Sequence, residues 1–121
     1  KNTIMIAEEK NRSDKNYKSL RENLKILSKS SDENGKKLKI IKIPMPSPVI
    51  IEKTRVPASY LNFFISNKTV FVPVFNVKED KKVLKIFRKF FTTRKVIAID
   101  CSDLIWGFGA IHCMTQQEPK I

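Results

Sequence analysis

The chain has 121 residues, enough for one hydrophobic core and too few for two independent ones. Hydrophobic residues make up 41% of it in short segments, which excludes a disordered chain and a membrane-spanning helix of about 20 apolar residues. The formal charge of +12 favours phosphate or acidic partners, but the lysines alternate with apolar residues along predicted helices, as on solvated helix faces rather than in a nucleic-acid groove.

The two cysteines, Cys101 and Cys113, form no C-x-x-C pair and accompany a single His, so no disulfide framework, metal site or cofactor is indicated. Free thiols and the absence of a signal-peptide pattern favour the cytoplasm. Because the chain opens directly on an apolar segment, without an initiator Met, we expect an upstream portion to be absent.

In chain order, residues 3–7 form a buried strand candidate, and a helix follows. Asp14 can cap this helix, and an apolar stripe recurs at steps of three and four residues: Tyr17, Leu20, Leu24 and Leu27. The helix is predicted to end by Asn34-Gly35, where glycine suits the left-handed residue that closes many helices.

The next predicted strand is at 38–43, and it ends where the prolines begin at Pro44. A second group of elements follows it. Strands at 60–65 and 69–72 flank a short polar turn and predict a hairpin. A helix at about 79–91, a strand at 95–100 and a short strand or loop at 110–115 complete the chain. Strand, helix and strand thus occur twice, which predicts an α/β fold with a weak internal repeat.

Cys113 is the strongest candidate for chemistry, because thiolate is the best nucleophile among ordinary side chains. Glycines at 107 and 109 let the backbone come close to a substrate. Cys101 follows a predicted buried strand without such glycines and is expected to be a core residue. If residues 110–115 are extended, His112 points away from Cys113 and cannot exchange protons with it. The carboxylates outside the helices are not spaced to clamp a guanidinium.

The segment Gly107-Phe-Gly-Ala-Ile-His-Cys-Met-Thr-Gln-Gln-Glu-Pro119 closely resembles the end of the agmatine deiminases and the porphyromonas-type peptidyl-arginine deiminases. In that family a loop reading Gly-Gly-Gly-x-Ile-His-Cys-x-Thr-Gln-Gln-x-Pro carries the nucleophile. Other segments agree in order, and the clearest is Ala58-Ser-Tyr-Leu-Asn-Phe-Phe64. The resemblance covers nearly all of this chain but only the C-terminal part of the family.

This resemblance implies that residues 1–121 are the C-terminal portion of a deiminase domain, about two ββαβ units of the five in an α/β propeller called a pentein. It implies that Cys113 attacks the guanidinium of agmatine and that Asn62, Gly107 and Gly109 line the substrate pocket. The carboxylates and the His that complete the site lie upstream in the family, so the chain alone is expected to be inactive. Its expected partners are agmatine and the remaining N-terminal part; whether it forms a homo-oligomer is left open.

Three points stay open at this stage. Peptidyl or free arginine is an alternative substrate, and a basic module binding nucleic acid or an acidic partner is an alternative of another class. Phe108 stands where the family has Gly, which could narrow the pocket or shift the loop. Since a chain at +12 repels a cationic substrate, the portion that completes the site is expected to be more acidic than this one.

Overall fold

The computed structural model describes residues 2–119. The chain forms two compact units, Lys1–Met45 and Pro46–Ile121. The first unit contains strand β1 (Thr3–Glu8), helix α1 (Tyr17–Lys29) and strand β2 (Lys39–Pro44). The second contains β3 (Ile50–Ile51), β4 (Thr54–Arg55), β5 (Phe64–Ile65), β6 (Thr69–Val74), α2 (Asp80–Phe90), β7 (Lys95–Asp100) and two short 3₁₀ helices, Leu104–Gly107 and His112–Met114. None of the helices within residues 2–119 is long and apolar enough to cross a membrane.

In the first unit, β1 and β2 pair in parallel over six residues, from Thr3 opposite Lys39 to Glu8 opposite Pro44. Parallel neighbours need a crossover between them, which α1 supplies. Ile6, Ile41 and Ile43 are buried in this sheet. The predicted apolar stripe of α1 is half-buried along its length, and no residue of the helix is fully buried.

Helix α1 ends at Lys29, earlier than predicted, and not through Gly35. Ser30 closes it instead, because its backbone N–H bonds to the carbonyl of Leu27 and its hydroxyl to that of Ile26. Gly35 does have a left-handed φ of 74°, but it belongs to a separate turn that follows the helix. The side chain of Asp32 stabilises that turn by accepting the backbone N–H groups of Asn34 and Lys36.

In the second unit, β6 lies between β5 and β7 in a three-stranded sheet. The β5–β6 pair is the predicted hairpin, although β5 covers only Phe64–Ile65 and not the whole of 60–65. β6 and β7 pair in parallel over six residues, and the observed bounds of β7 are those predicted from the sequence. The proline-rich stretch after Pro44 contains only the two-residue hairpin of β3 and β4.

Helix α2 contributes two fully buried residues to the core within the second unit. Val83 and Phe87 are fully buried, while Lys81, Lys82, Lys85 and Lys89 are exposed as the pattern predicts. The Phe87 ring meets Phe63 edge-on at 4.9 Å and stacks on Phe91 at 5.9 Å. Burying each of the two core residues of α2 contributes about 1.5–3 kcal/mol, so this face fixes the helix against its neighbours.

The predicted repeat is present as topology. β1–α1–β2 and β6–α2–β7 are each a strand, a crossover helix and a parallel strand, and each has a six-residue parallel register. The α/β class predicted from the sequence is therefore confirmed.

Candidate functional site

Cys113 lies in the second 3₁₀ helix, near the end of the described chain. Two buried residues, Ala110 and Ile111, directly precede this turn, while Cys113 itself is exposed. The first 3₁₀ helix is anchored in the same way by buried Ile105, whose N–H bonds to the Cys101 carbonyl at 2.9 Å. Buried residues thus anchor the loop that carries the two 3₁₀ helices, and the Cys113 thiol is exposed to solvent.

Gly109 makes room for the Cys113 side chain. A Cβ added at Gly109 would lie 2.8 Å from Cβ and 3.2 Å from Sγ of Cys113, closer than real Cβ contacts come. At Gly107 the same test finds nothing within 4 Å. Of the two glycines predicted at the site, only Gly109 is in contact with Cys113, and Gly107 borders open space.

Asn62 binds Cys113 at two points and its neighbour at a third. The Cys113 N–H donates to Oδ1 of Asn62 at 3.1 Å, and Nδ2 of Asn62 donates to the Cys113 Sγ at 2.9 Å. The His112 N–H donates to the Asn62 carbonyl at 3.1 Å. Because a backbone N–H can only donate, it fixes Oδ1 on its side of the carboxamide and leaves Nδ2 facing sulfur. The sulfur is thus the acceptor of a hydrogen bond from the Asn62 side chain.

Phe108 has left-handed backbone angles, φ 61° and ψ 18°, at the end of the first 3₁₀ helix. This conformation costs a residue with a Cβ roughly 1–2 kcal/mol and costs glycine almost nothing. The backbone therefore gives a physical reason for the glycine that the resembling family has here. The Phe108 side chain is 62% exposed, so burial of its ring does not fully offset the free-energy cost of the left-handed backbone.

His112 lies in a 3₁₀ turn, so of the two structures predicted for residues 110–115, a short strand or a loop, the strand is wrong. The argument that His112 and Cys113 point to opposite faces required that strand. Successive side chains of a 3₁₀ helix are about 120° apart rather than on opposite faces. The turn forms because Met114 and Thr115 donate their N–H groups back to Ile111 and His112. The imidazole is exposed and makes no hydrogen bond with another residue in the described range.

Cys101 differs from Cys113 in exposure, because Cys101 is buried and Cys113 is exposed. It is fully buried, its N–H bonds to the Val74 carbonyl, and burial together with the charge of Asp100 raises the pKa of its thiol. A protonated, enclosed thiol is a poor nucleophile. The prediction that Cys101 is a core residue is confirmed.

Asp100, at the end of β7, is held by neighbouring donors. Ser102 donates both its hydroxyl and its backbone N–H to this carboxylate, and the Asn76 side chain adds a third bond at 2.9 Å. These bonds, with the Ser102 hydroxyl first, lower the pKa of Asp100. Within residues 2–119, no three His, Cys, Asp or Glu side chains are grouped so that they could hold a metal ion.

Fold and site together define an α/β protein with an exposed, hydrogen-bonded cysteine on a short helical loop. A family model for the Porphyromonas-type peptidyl-arginine deiminases matches residues 1–119, and the chain belongs to this family.

Two curated relatives bear the name "Putative agmatine deiminase". The protein from Marinomonas sp. (strain MWYL1) is 35% identical over 80% of this chain and 31% of its own length. The one from Legionella pneumophila (strain Paris) is 33% identical over 92% of this chain and 32% of its own length. The chain therefore spans about a third of the length of the curated relatives that it matches.

Solved structures agree with the family assignment. The agmatine deiminase of Enterococcus faecalis is 26% identical with a TM-score of 0.94, covering 98% of this chain and 37% of that one. A C. jejuni agmatine deiminase, solved as a Cys-to-Ser variant with substrate bound, is 26% identical with a TM-score of 0.77, covering 92% of this chain and 32% of that one.

Proposed function

We propose that this chain carries the nucleophile, Cys113, of an enzyme that hydrolyses a guanidinium group. The observation that carries the proposal is the environment of the exposed Cys113 sulfur. Gly109 leaves space for it, and the Asn62 carboxamide donates a hydrogen bond to it. Cys101, the other thiol, is buried and protonated. Membership of the family and the Cys-to-Ser variant of the C. jejuni relative support a role for cysteine.

The proposed reaction begins when the Cys113 thiolate attacks the guanidinium carbon. A C–S bond forms, and the electron pair of the C=N bond moves to nitrogen, giving a tetrahedral adduct. One nitrogen takes a proton and leaves as ammonia, which gives a thiouronium intermediate. Water then adds to the same carbon and gives up both its protons, one of which replaces the proton taken by the leaving nitrogen. The C–S bond breaks with its electrons returning to sulfur, and a urea product is released.

Within this mechanism Asn62 has a role in addition to the predicted one of lining the pocket. Both polar ends of its side chain are bonded to Cys113, at 3.1 and 2.9 Å. Asn62 therefore orients the nucleophile. One hydrogen on Nδ2 and one lone pair on Oδ1 are not used by these two bonds, so a substrate contact at Asn62 remains a prediction. Gly109 acts through its lack of a side chain, and a substrate contact at Gly107 remains a prediction.

We further propose that the two strand–helix–strand modules are two units of the five-unit pentein propeller. The equal six-residue parallel registers of β1–β2 and β6–β7 support this. The carboxylates and the proton-carrying His that the mechanism needs would come from the remaining N-terminal part of the fold, in keeping with a chain that spans about a third of its relatives. By itself the chain is expected to be inactive.

Agmatine is the proposed substrate, with N-carbamoylputrescine and ammonia as products, and the cytoplasm is the proposed location. The support comes from the curated relatives and from the E. faecalis structure, which are named for agmatine. Peptidyl or free arginine is the alternative, supported by the name of the matching family. Ammonia release from agmatine, arginine and an arginine peptide compared side by side decides between them.

The test uses the protein in which this chain is joined to the remaining two thirds of the family fold. Cys113→Ser and Cys113→Ala should abolish ammonia release from agmatine, and a haloacetamidine should label Cys113 in the unsubstituted protein. Cys101→Ser is the matched control, and it should keep turnover if the protein folds. Turnover at the normal rate by either Cys113 variant would end the proposal.

One observation favours a second candidate function, binding of a polyanion. The exposed face of α2 presents Lys81, Lys82, Lys85, Arg88 and Lys89, and none of these makes an ion pair within 4.0 Å in the described residues. Like charges at helical spacing cost a helix about 0.2–0.5 kcal/mol per pair. A phosphate backbone would offset this repulsion.

Fluorescence anisotropy with a short DNA duplex tests the second function. If α2 binds phosphate, replacing Lys82, Lys85 and Lys89 by Gln weakens binding and reduces its salt dependence, by about one unit of log–log slope per cation lost. The control replaces Lys15, Lys18 and Lys25 by Gln, which removes equal charge elsewhere. Equal effects of the two variants would mean that only net charge matters.

A further inference from the structure

The turn that carries Asn62 is fixed by a partly buried hydrogen bond two residues away. The Tyr60 hydroxyl donates to Oδ1 of Asp80, the first residue of α2, at 2.6 Å. Tyr60 is 1% exposed, and its ring lies 5.6 Å from that of Phe75. A hydroxyl donating to a carboxylate at this distance makes a short, charge-assisted bond.

Asp80 is in turn held by backbone donors. Its carboxylate accepts the Phe75 N–H at 3.2 Å and the Val77 N–H at 3.1 Å in addition to the Tyr60 hydroxyl. The acceptor is therefore fixed to the segment between β6 and α2, and α2 is fixed by its buried residues Val83 and Phe87. Burial, and after it the bond to Asp80, raises the pKa of Tyr60, so the hydroxyl remains a donor throughout the physiological range.

Between Tyr60 and Asn62 the chain is a closed turn. The Asn62 N–H bonds to the Ser59 carbonyl at 3.2 Å, and the Leu61 N–H bonds to the Ser59 hydroxyl at 3.2 Å. A displacement of Tyr60 therefore carries the Asn62 carboxamide with it. That carboxamide holds the sulfur and the N–H of Cys113, which lies 51 residues further along the chain.

We propose that Tyr60 and Asp80 are positioning residues for Cys113: their hydrogen bond sets where the Asn62 carboxamide lies, and so sets the reactivity of the thiol. The path runs from the start of α2 through Tyr60 and the turn at 59–62 to the nucleophile. This inference rests on the proposed role of Cys113, but it concerns residues whose hydrogen bonds do not involve the sulfur.

The chain contains two tyrosines, which supplies a matched pair of variants. Tyr60→Phe removes the positioning hydroxyl and keeps the ring. Tyr17→Phe removes a hydroxyl that accepts a hydrogen bond from Arg21 in the first unit, at 2.7 Å. Three quantities are compared: the rate of Cys113 alkylation by iodoacetamide as a function of pH, amide hydrogen exchange at His112 and Cys113, and the midpoint of thermal unfolding.

In Tyr60→Phe we expect exchange at the His112 and Cys113 amides to accelerate by about tenfold relative to the amides of β6 and β7, as for the loss of one hydrogen bond. Alkylation below pH 8 should slow by about fivefold, because the donor to sulfur is no longer held in place. Tyr17→Phe should leave both quantities unchanged. A purely structural role for Tyr60 predicts instead a lower unfolding midpoint with normal Cys113 exchange and alkylation, which would overturn the inference.

Two further measurements cover the case in which Tyr60→Phe fails to fold. Asp80→Asn keeps an oxygen that can accept the Tyr60 hydroxyl but weakens the bond, so it should give smaller changes in the same direction. In the unsubstituted protein, the Asn62, His112 and Cys113 amides should exchange with one common opening free energy, and unrelated values would refute the coupling. None of these readouts requires deiminase turnover, so a failure of this inference can be distinguished from a failure of the proposed function.

Discussion

Replacing Gly109 by Ala tests whether the lack of a side chain there positions Cys113. The added methyl group would sit 2.8 Å from the Cys113 Cβ, about 0.6 Å inside ordinary contact distance, which begins at 3.4 Å. The Cβ is attached directly to the backbone, so it cannot swing away as the end of a long side chain can. The whole residue must shift, and its two bonds to Asn62 must lengthen.

The magnitude follows from those contacts. Overpacking costs about 1–3 kcal/mol, and weakening a hydrogen bond adds about 1 kcal/mol. Reduced freedom of the unfolded chain returns about 0.4–1 kcal/mol. We therefore expect Gly109→Ala to lower the free energy of unfolding by about 2 kcal/mol and to slow Cys113 alkylation by about fivefold.

Gly107→Ala is the matched control, because it makes the same chemical change two residues away in open space. Neither glycine has a positive φ, so the two variants differ in the space available and not in backbone strain. Gly107→Ala should leave stability unchanged or raise it slightly, by about 0.5 kcal/mol. Denaturant titration and alkylation kinetics give both quantities, and equal effects of the two substitutions would refute the reasoning.

Phe108→Gly should raise stability by about 1 kcal/mol in denaturant titration, because it removes left-handed strain from a residue whose side chain is largely exposed; a loss of stability would show that the ring packs usefully. Iodoacetamide should label Cys113 in the folded protein and Cys101 only after unfolding, as mass spectrometry of peptides can establish. Burial alone would raise the pKa of Glu79, but the bonds from Ser47 and the charge of Lys78 outweigh it and lower the pKa below 4.5. A depressed carboxyl stabilises the fold above its unfolded pKa and loses that effect as the pH falls through the folded pKa. Glu79→Gln should therefore destabilise the protein at pH 7 and reduce the loss of stability between pH 5 and pH 3 measured by thermal unfolding; an unchanged pH profile would contradict this.

The outcome for α1 shows where local patterns mislead. Periodicity placed the stripe from Tyr17 to Leu27 on one helical face, and Gly35 was expected to close the helix. Ser30 ends it sooner, because its backbone and side chain both bond to carbonyls of the last turn. Gly35 has the predicted left-handed backbone but uses it in the turn that Asp32 organises.

By itself the sequence determined the elements whose signals are local. Periodicity predicts the bounds of β7, the buried and exposed faces of α2 and the strand–helix–strand order. It does so because a period of 2 residues in a strand, or 3.6 in a helix, determines which side chains face the core. The loop motif around Cys113 likewise led to the prediction that Cys113 is a nucleophile before any coordinates did.

Only the tertiary structure decided how Cys113 is held. Asn62 and Cys113 are 51 residues apart, and Tyr60 and Asp80 are 20 apart, so no periodic pattern joins them. The 3₁₀ turn at His112 was also invisible, because residues 110–115 suit a strand or a loop equally well until Ala110 and Ile111 are buried and the Asn62 carbonyl accepts the His112 N–H. Such contacts arise only when packing brings distant backbone groups to within about 3 Å, where a hydrogen bond stabilises one local conformation over another of similar energy.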